Sequence, residues 1–306
     1  MRVLLAGATG AIGRPLTRAL VAGGHEVLAL ARSEQTAGAA AVLGARAVRA
    51  DAMDRDGLLR ALAGVRADAV IHELTALTKP KRILDANDPS TLLRTVGTAN
   101  LLAAAEVVGA QRFLTQSMAL GYGYTDHGDR ILTEQDEFAI AHGNAADPVI
   151  EGLRSTEHQT FTAPHAAGIA LRYGLFYGPG TWFDPAPGSR PTLVPWRGGG
   201  TVSWIHVHDA AAATVAALEH GSPGHAYNVV DDTPATWLEV AAAARPAAHP
   251  VRIPAPWLRR MVPYFGPLML DTTLRADNTK SRIALAWTPT YPSYREGMAA
   301  GAAVEA

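Results

Sequence analysis

Apolar residues along this chain gather in short β-rich runs separated by longer amphipathic stretches. The runs are Val3–Ala6, Val27–Leu30, Ala47–Arg49, Ala69–His72, Arg112–Gln116 and Ile169–Tyr173. Between them, Arg14–Ala22, Asp56–Leu62, Leu92–Val108 and Pro148–Phe161 carry apolar positions at helical spacing. Strands that alternate with helices of this length need crossover connections. The pattern therefore predicts an α/β fold with a parallel sheet covered by helices on both faces. Asp147-Pro148 predicts a helix start, with the carboxylate as N-cap and the proline in the first turn.

After Tyr173 the pattern changes. Residues 174–202 are rich in glycine, proline and aromatics, including Trp182, Phe183, Pro185, Pro187, Pro191, Pro195, Trp196 and Gly198-Gly199-Gly200. Such a segment reads as loop. Regular structure is expected again at Thr201–Val207 (strand), Ala210–Glu219 (helix) and Tyr227–Val230 (strand), and the tail from Pro234 alternates helical pieces with prolines. The expected organisation is a core over residues 1–173, rejoined by roughly 201–230, and a smaller loop-rich lobe drawn mainly from residues 174–306.

The first strand runs directly into Gly7-Ala8-Thr9-Gly10-Ala11-Ile12-Gly13 and then a helix. Glycines suit this bend because the turn is tight, the backbone must approach a pyrophosphate, and the helix must pack on the strand. The helix start adds unpaired N–H groups and a positive dipole end. With a second strand following on schedule, the segment reads as a dinucleotide-binding strand–turn–helix and the fold as a doubly wound (Rossmann) sheet.

Composition narrows the partners. The 306 residues carry a net charge of −1, contain no cysteine, and include only three lysines, Lys79, Lys81 and Lys280. Lysine and arginine form no blocks, so neither nucleic acid nor an anionic membrane is expected as a partner. No apolar run has the length of a membrane span. A cytoplasmic protein acting on a small molecule is the expectation, with oligomeric state left open. The excess of arginine over lysine, with abundant alanine and glycine, points to a GC-rich bacterial genome.

Several further motifs resemble the short-chain dehydrogenase/reductase superfamily in its extended, epimerase/dehydratase-like branch. They are Asp68-Ala69-Val70-Ile71-His72, Val96-Gly97-Thr98-Ala99-Asn100-Leu101-Leu102, and Leu171 to Gly180. Trp204 to Asp209, Tyr227-Asn228-Val229 and Trp287-Thr288-Pro289 complete the set. The resemblance implies a nicotinamide cofactor. By position, Gly7, Thr9, Gly10, Ala11, Ile12 and Gly13 would hold the pyrophosphate, and Asp51 and Ala52 would border the adenine. Leu74 and Thr75 would line the nicotinamide ribose, with Tyr173, Gly174 and Leu175 at the nicotinamide end. NAD-binding members place an acid at the end of the second strand. This chain has Arg32-Ser33 there, and Arg14 just past Gly13. A planar cation suits a 2′-phosphate, so NADP(H) is expected, with NAD(H) as an alternative.

The chain departs from the resemblance at the chemistry. The superfamily pairs a tyrosine with a lysine four residues later, the lysine lowering the phenol pKa for proton transfer. Here those positions fall on Val149 and Leu153, the serine position falls on Met118 with Ser117 beside it, and Arg94 replaces an asparagine. Losing a positioned acid costs about 10²–10⁴ in rate. Positioning against the nicotinamide, which can supply as much as roughly 7–11 kcal/mol, is untouched. The catalytic group is therefore unknown, with Ser117 and Tyr122 as candidates. Met118, Tyr122, Tyr124, Val149, Leu153, Trp182 and Trp204 are candidate substrate contacts, and Trp196 and Phe265 are further aromatics of the same kind. His206 and His208 would share a strand face, but no third ligand is evident. No metal is expected, and Asp209 is read as the cap of the next helix. Asp54 and Asp56 read as polar residues of a loop and helix start.

The resulting expectation is NADPH-dependent reduction of a ketone on a small aromatic secondary metabolite, with a proton from water or from a phenol on the substrate. Ketoreductases that tailor aromatic polyketides are the group it points to. The alternatives are a non-catalytic NADP-sensing regulator and, third, a nucleotide-sugar epimerase or dehydratase.

Overall fold

Alternation within single strands sets the layering. In β1 (Arg2–Ala6), Val3 and Leu5 join one buried cluster while Leu4 and Ala6 join another. Successive side chains of a strand point to opposite faces, so the same five residues anchor both helix layers. The computed structural model describes residues 1–76, 85–184, 193–245 and 250–303. Lys79, Lys81, Pro185, Pro187 and Pro191 lie outside the described residues.

From β1 the chain passes through α1 (Gly13–Ala22), β2 (Glu26–Ala31), α2 (Glu34–Val42), β3 (Arg46–Arg49), α3 (Arg55–Ala61) and β4 (Ala69–His72). A short helix, α4 (Pro89–Leu92), continues as a π-helical turn over Leu93–Gly97 into α5 (Thr98–Val108). There follow β5 (Arg112–Met118), β6 (Asp126–Leu132), α6 (Asp147–Phe161) and β7 (Ala167–Tyr173). Then come β8 (Leu175–Tyr177), β9 (Leu193–Pro195), β10 (Thr201–Val202), β11 (Trp204–His206), α7 (Val207–His220) and β12 (His225–Val229). The described tail includes β13 (Ala235–Thr236), α8 (Trp237–Ala244), β14 (Val251–Ile253) and β15 (Thr273–Ala276).

The main sheet has seven strands in the order β12-β7-β5-β4-β1-β2-β3. Every pair in it is parallel. This is the doubly wound α/β sheet the alternation predicts. One face packs Val3, Leu5, Ile71 and Leu114 against Leu16 and Leu20 of α1 and Ala213 and Ala217 of α7. The other packs Leu4, Val70 and Phe113 against Leu58 of α3 and Leu101, Ala104 and Val108 of α5. A second, four-stranded sheet, β13-β10-β15-β6, lies with a third buried cluster rich in aromatics.

Three local expectations are corrected. The strand expected over Thr201–Val207 divides between two sheets: Val202 pairs with Ala235 and Leu274, whereas Trp204–His206 pairs with Leu175–Tyr177. The chain turns at Ser203, whose carbonyl accepts from the Leu175 amide (3.0 Å) and whose hydroxyl accepts from the Ala276 amide (2.8 Å). Asp147 does not cap α6; it is its first residue, and its carboxylate instead accepts from the backbone of His142 and Gly143. Nor does Asp209 cap α7. His206 does, through its ring nitrogen, while Asp209 accepts from the Thr290 and Tyr291 amides and so ties the tail to the core. β6 carries no apolar alternation, being largely exposed, and for that reason has no signal in the sequence.

Candidate active site

The connections from neighbouring strands β1 and β4 run to opposite sides of the sheet, toward β2 and β5 respectively, and the gap beyond their carboxyl ends is where ligands of such sheets lodge. A cleft of about 720 Å³ occupies that gap. Its floor is the Gly7–Ile12 turn. Gly7 has φ +105°, and a methyl there would meet the Glu73 carbonyl oxygen at 2.7 Å. A methyl on Gly13 would lie 1.9 Å from the Gly7 carbonyl oxygen. Only glycine serves at either place, and together they leave a backbone cradle open to a phosphate chain.

Of the residues the sequence pointed to, the structure brings Gly7, Thr9, Gly10, Ala11, Ile12, Arg32, Asp51, Ala52, Leu74, Thr75, Tyr173, Gly174 and Leu175 to this one cleft. Met118, Val149, Trp182 and Phe265 line its far end. Gly13 lies beneath the turn as a packing residue. Ser33 turns away: its hydroxyl caps α2 by accepting from the Thr36 amide, and Thr36 faces the cleft instead. Arg14 spends its Nε–H on the Thr9 carbonyl (3.1 Å).

The candidate acids and several substrate contacts are corrected by their partners. Ser117 is fully buried and donates to Glu157 (2.6 Å). Glu157 in turn receives Arg172 through two nitrogens, at 3.0 and 2.8 Å. Arg172 also donates to the Tyr122 hydroxyl, which donates to Asn228. Ser117, which lines the cleft, and Tyr122, which does not, thus belong to one buried hydrogen-bonded network, and burial pushes the Tyr122 phenol up to about 12. Leu153 and Trp204 are fully buried in the core; Trp204 donates to the Ala235 carbonyl and meets Phe183 edge-on at 4.8 Å. Tyr124 shares a hydrogen bond with Tyr264 (2.9 Å), and it is Tyr264 that reaches the cleft. Trp196 lies in a separate shallow depression.

Sequence reasoning missed Glu73, Gln116, Trp237, Tyr264 and Arg94 as cleft residues. Arg94 carried a signal, a single cation in an otherwise apolar helical stretch. Trp237 carried none, because its place depends on the second sheet. Behind the cleft, His72 joins two of its walls. The ring accepts from the Leu74 amide at Nδ1 and faces the Leu93 carbonyl with Nε2, each at 3.2 Å. Burial lowers its pKa to about 4, so the ring is neutral with its proton on Nε2.

Glu73 follows His72, is buried, and accepts from Tyr173 (2.9 Å). Burial raises its carboxyl to about 8, outweighing the opposing effect of the Tyr173 bond. The folded protein therefore holds a proton on Glu73 that the unfolded chain releases near its ordinary pKa. Stability should fall as pH rises from about 4.5 toward about 8. Melting temperatures of wild type and Glu73→Gln across this range provide the check. The variant should lose that decline, and parallel curves would refute the assignment.

The chain belongs to the NAD dependent epimerase/dehydratase family, whose model matches residues 3–230. It is an NAD(P)-dependent oxidoreductase of the extended short-chain type. A Streptomyces 3-diazoavenalumate denitrifying reductase is 38% identical, covering 97% of this chain and 99% of its own length. A Stigmatella aurantiaca 4-hydroxy-2-methyl-3-oxo-4-farnesyl-3,4-dihydroquinoline-1-oxide ketoreductase is 30% identical over 76% of this chain and 69% of its own. Among solved structures, Bacillus cereus UDP-glucuronic acid 4-epimerase, in complex with UDP-glucuronic acid and NAD, superposes with a TM-score of 0.77. At 21% identity, covering 98% of each chain, that likeness speaks for the fold. Among the described residues no helix is long and apolar enough to cross a membrane.

Proposed function

We propose that the protein is an NADPH-dependent reductase of a small aromatic substrate that does not need a side-chain acid. The observation that carries this is the far end of the cleft. Val149 and Met118 occupy the positions of the usual tyrosine and serine, and Trp182, Trp237 and Phe265 supply flat apolar surface around them. When bound, NADPH supplies a hydride. The chain's own residues would hold it in the cradle over Gly7–Ile12, with Arg32 and Thr36 at the adenosine phosphate and Tyr173–Leu175 at the nicotinamide end.

Two acceptors satisfy a site without an acid. The ring carbon of an aryl diazonium takes up one hydride while its C–N bond breaks and N₂ leaves with the electron pair, so a C–H bond replaces C–N and no proton is consumed. A ketone beside a phenol takes up hydride at carbon and a proton at oxygen, from that phenol or from water. The full-length likeness to the denitrifying reductase ranks the diazo acceptor first; the ketoreductase relative supports the second. A redox sensor has no use for the shaped aromatic end, and an epimerase would lack its acid–base pair at Val149 and Leu153.

The test is NADPH oxidation with an ortho-diazophenol, with 2′-hydroxyacetophenone and with acetophenone, using deuterated NADPH. Deuterium on the ring carbon identifies the first reaction, and on the carbinol carbon the second. Acetophenone turning over as fast as its hydroxy analogue would remove substrate assistance. Binding of NADPH with no oxidation by any acceptor would count against the reductase reading. The cofactor preference has its own check in Arg32→Asp. This change should weaken NADPH by about 10- to 100-fold, the worth of a lost charge-assisted contact, while NADH improves. Unchanged Michaelis constants for the two cofactors would mean that Arg32 does not read the 2′-phosphate.

A further inference from the structure

The described residues hold two buried arginines, Arg94 and Arg172, with quite different surroundings, and a half-buried one, Arg112. Arg172 is paired bidentately with Glu157 and covered by Phe138, 3.5 Å below the guanidinium. Arg112 donates to the carbonyls of Ala217 and Gly221. Arg94 is 1% exposed and makes no direct ion pair or hydrogen bond with a described carboxylate, although the buried Asp88 acts on it at longer range. Its Nε has no hydrogen-bond partner, and the guanidinium's one hydrogen bond runs from Nη2 to the sulfur of Met118 (3.2 Å), a weak acceptor. A buried charge left this way is costly unless something else completes it.

Local structure holds Arg94 in place. It sits in the π-helical turn Leu93–Gly97, a widened turn of a kind that recurs at functional sites. His72 fixes that turn through the Leu93 carbonyl. On the opposite helix, Gly152 leaves room for the stem: a methyl there would meet Arg94 Cδ at 3.3 Å. The guanidinium lines the cleft at the end bounded by Met118 and Val149, where the proton-transferring pair would otherwise stand.

We infer that Arg94 is the anchor for an oxyanion of the substrate, a carboxylate or a phenolate, which would supply the direct ion pair that no described carboxylate makes. A planar fork with unpaired N–H groups beside an apolar wall recognises such a group by two parallel charge-assisted bonds. This inference rests on the reading of the cleft as a reductase site, and it narrows the substrate to aromatic acids or acidic phenols. The anion would sit on Arg94 while the aromatic ring lies against the apolar wall.

Binding to the NADP⁺-saturated protein tests it, read as quenching of tryptophan fluorescence and by calorimetry. The probes are 4-hydroxycinnamate, cinnamate and methyl 4-hydroxycinnamate. Cinnamate binding like 4-hydroxycinnamate, with the ester much weaker, identifies a carboxylate. Ester binding that strengthens as its phenol ionises, with cinnamate weak, identifies a phenolate. In either case Arg94→Met should weaken the anionic probe by about 10- to 100-fold, and Arg94→Lys should recover part of the loss. Arg94→Met should melt no lower than wild type, since it removes a buried charge that has no direct ion pair; a purely structural arginine would show a clear drop. The inference is overturned if Arg94→Met leaves all probes unchanged, or if none binds the wild-type protein at millimolar concentration. NADP⁺ affinity is measured separately and should be the same in all variants. Failure of wild type to bind NADP⁺ would strike the reductase reading, whatever the acids do.

Discussion

Glu157→Ala should destabilise the protein by about 3–5 kcal/mol, the typical result of removing one partner from a buried ion pair. Glu157 and Arg172 are 5% and 6% exposed, so solvent cannot replace what the mutation removes. The loss would reach further than one pair. Ser117 on β5 would lose its acceptor, and Arg172 on β7, with the Tyr122–Asn228 link beyond it, would keep an uncompensated charge. Urea unfolding followed by circular dichroism measures the effect. The double variant Glu157→Leu/Arg172→Met should recover most of the stability, because it removes both charges together. A loss below about 1 kcal/mol, the range of exposed pairs, would show that the pair is open to water.

Gly13→Ala should abolish useful cofactor binding, with a loss of about 100-fold or more in NADPH affinity, equivalent to about 2.8 kcal/mol. The added methyl would stand 1.9 Å from the Gly7 carbonyl oxygen and 2.7 Å from the Ala8 carbonyl carbon. Backbone, not a flexible side chain, would have to move, and the first turn of α1 would swing away from the Gly7–Ile12 cradle proposed for the phosphates. The sheet itself should survive, since its core lies in β1, β4 and β5. Gly38→Ala, where the methyl meets nothing within 4 Å, is the matched control and should bind normally. Calorimetry with NADPH decides between them; equal affinities would mean that the turn is not the phosphate site.

Much of the scaffold could be read in advance because it depends on local rules. The alternation Val3/Leu5 against Leu4/Ala6 announces a strand buried on both faces, and Gly7 and Gly13 announce a turn no larger residue could make. The absence of a tyrosine–lysine pair was equally plain. What failed were assignments in which one side chain chooses among several partners. Ser33, Asp147 and Asp209 all suit helix starts or phosphates by residue type, yet their tertiary neighbours decide which amides they meet. Tyr122 and Ser117 stand at the right place in sequence for proton transfer. They are drawn off by Glu157, Arg172 and Asn228, which lie 40 to 106 residues away along the chain.

By itself, then, the sequence determined the doubly wound sheet, the glycine turn after β1, and the loss of the usual acid–base pair. Each follows from residue type and spacing within one or two elements. Only the tertiary structure decided the composition of the substrate end. It buried Leu153 and Trp204, brought in Trp237 and Tyr264 from distant segments, and left Arg94 without a directly paired carboxylate at the cleft wall. The reason is physical: a turn or a strand is selected by its own backbone, whereas the partners of a buried polar group are selected by everything packed around it.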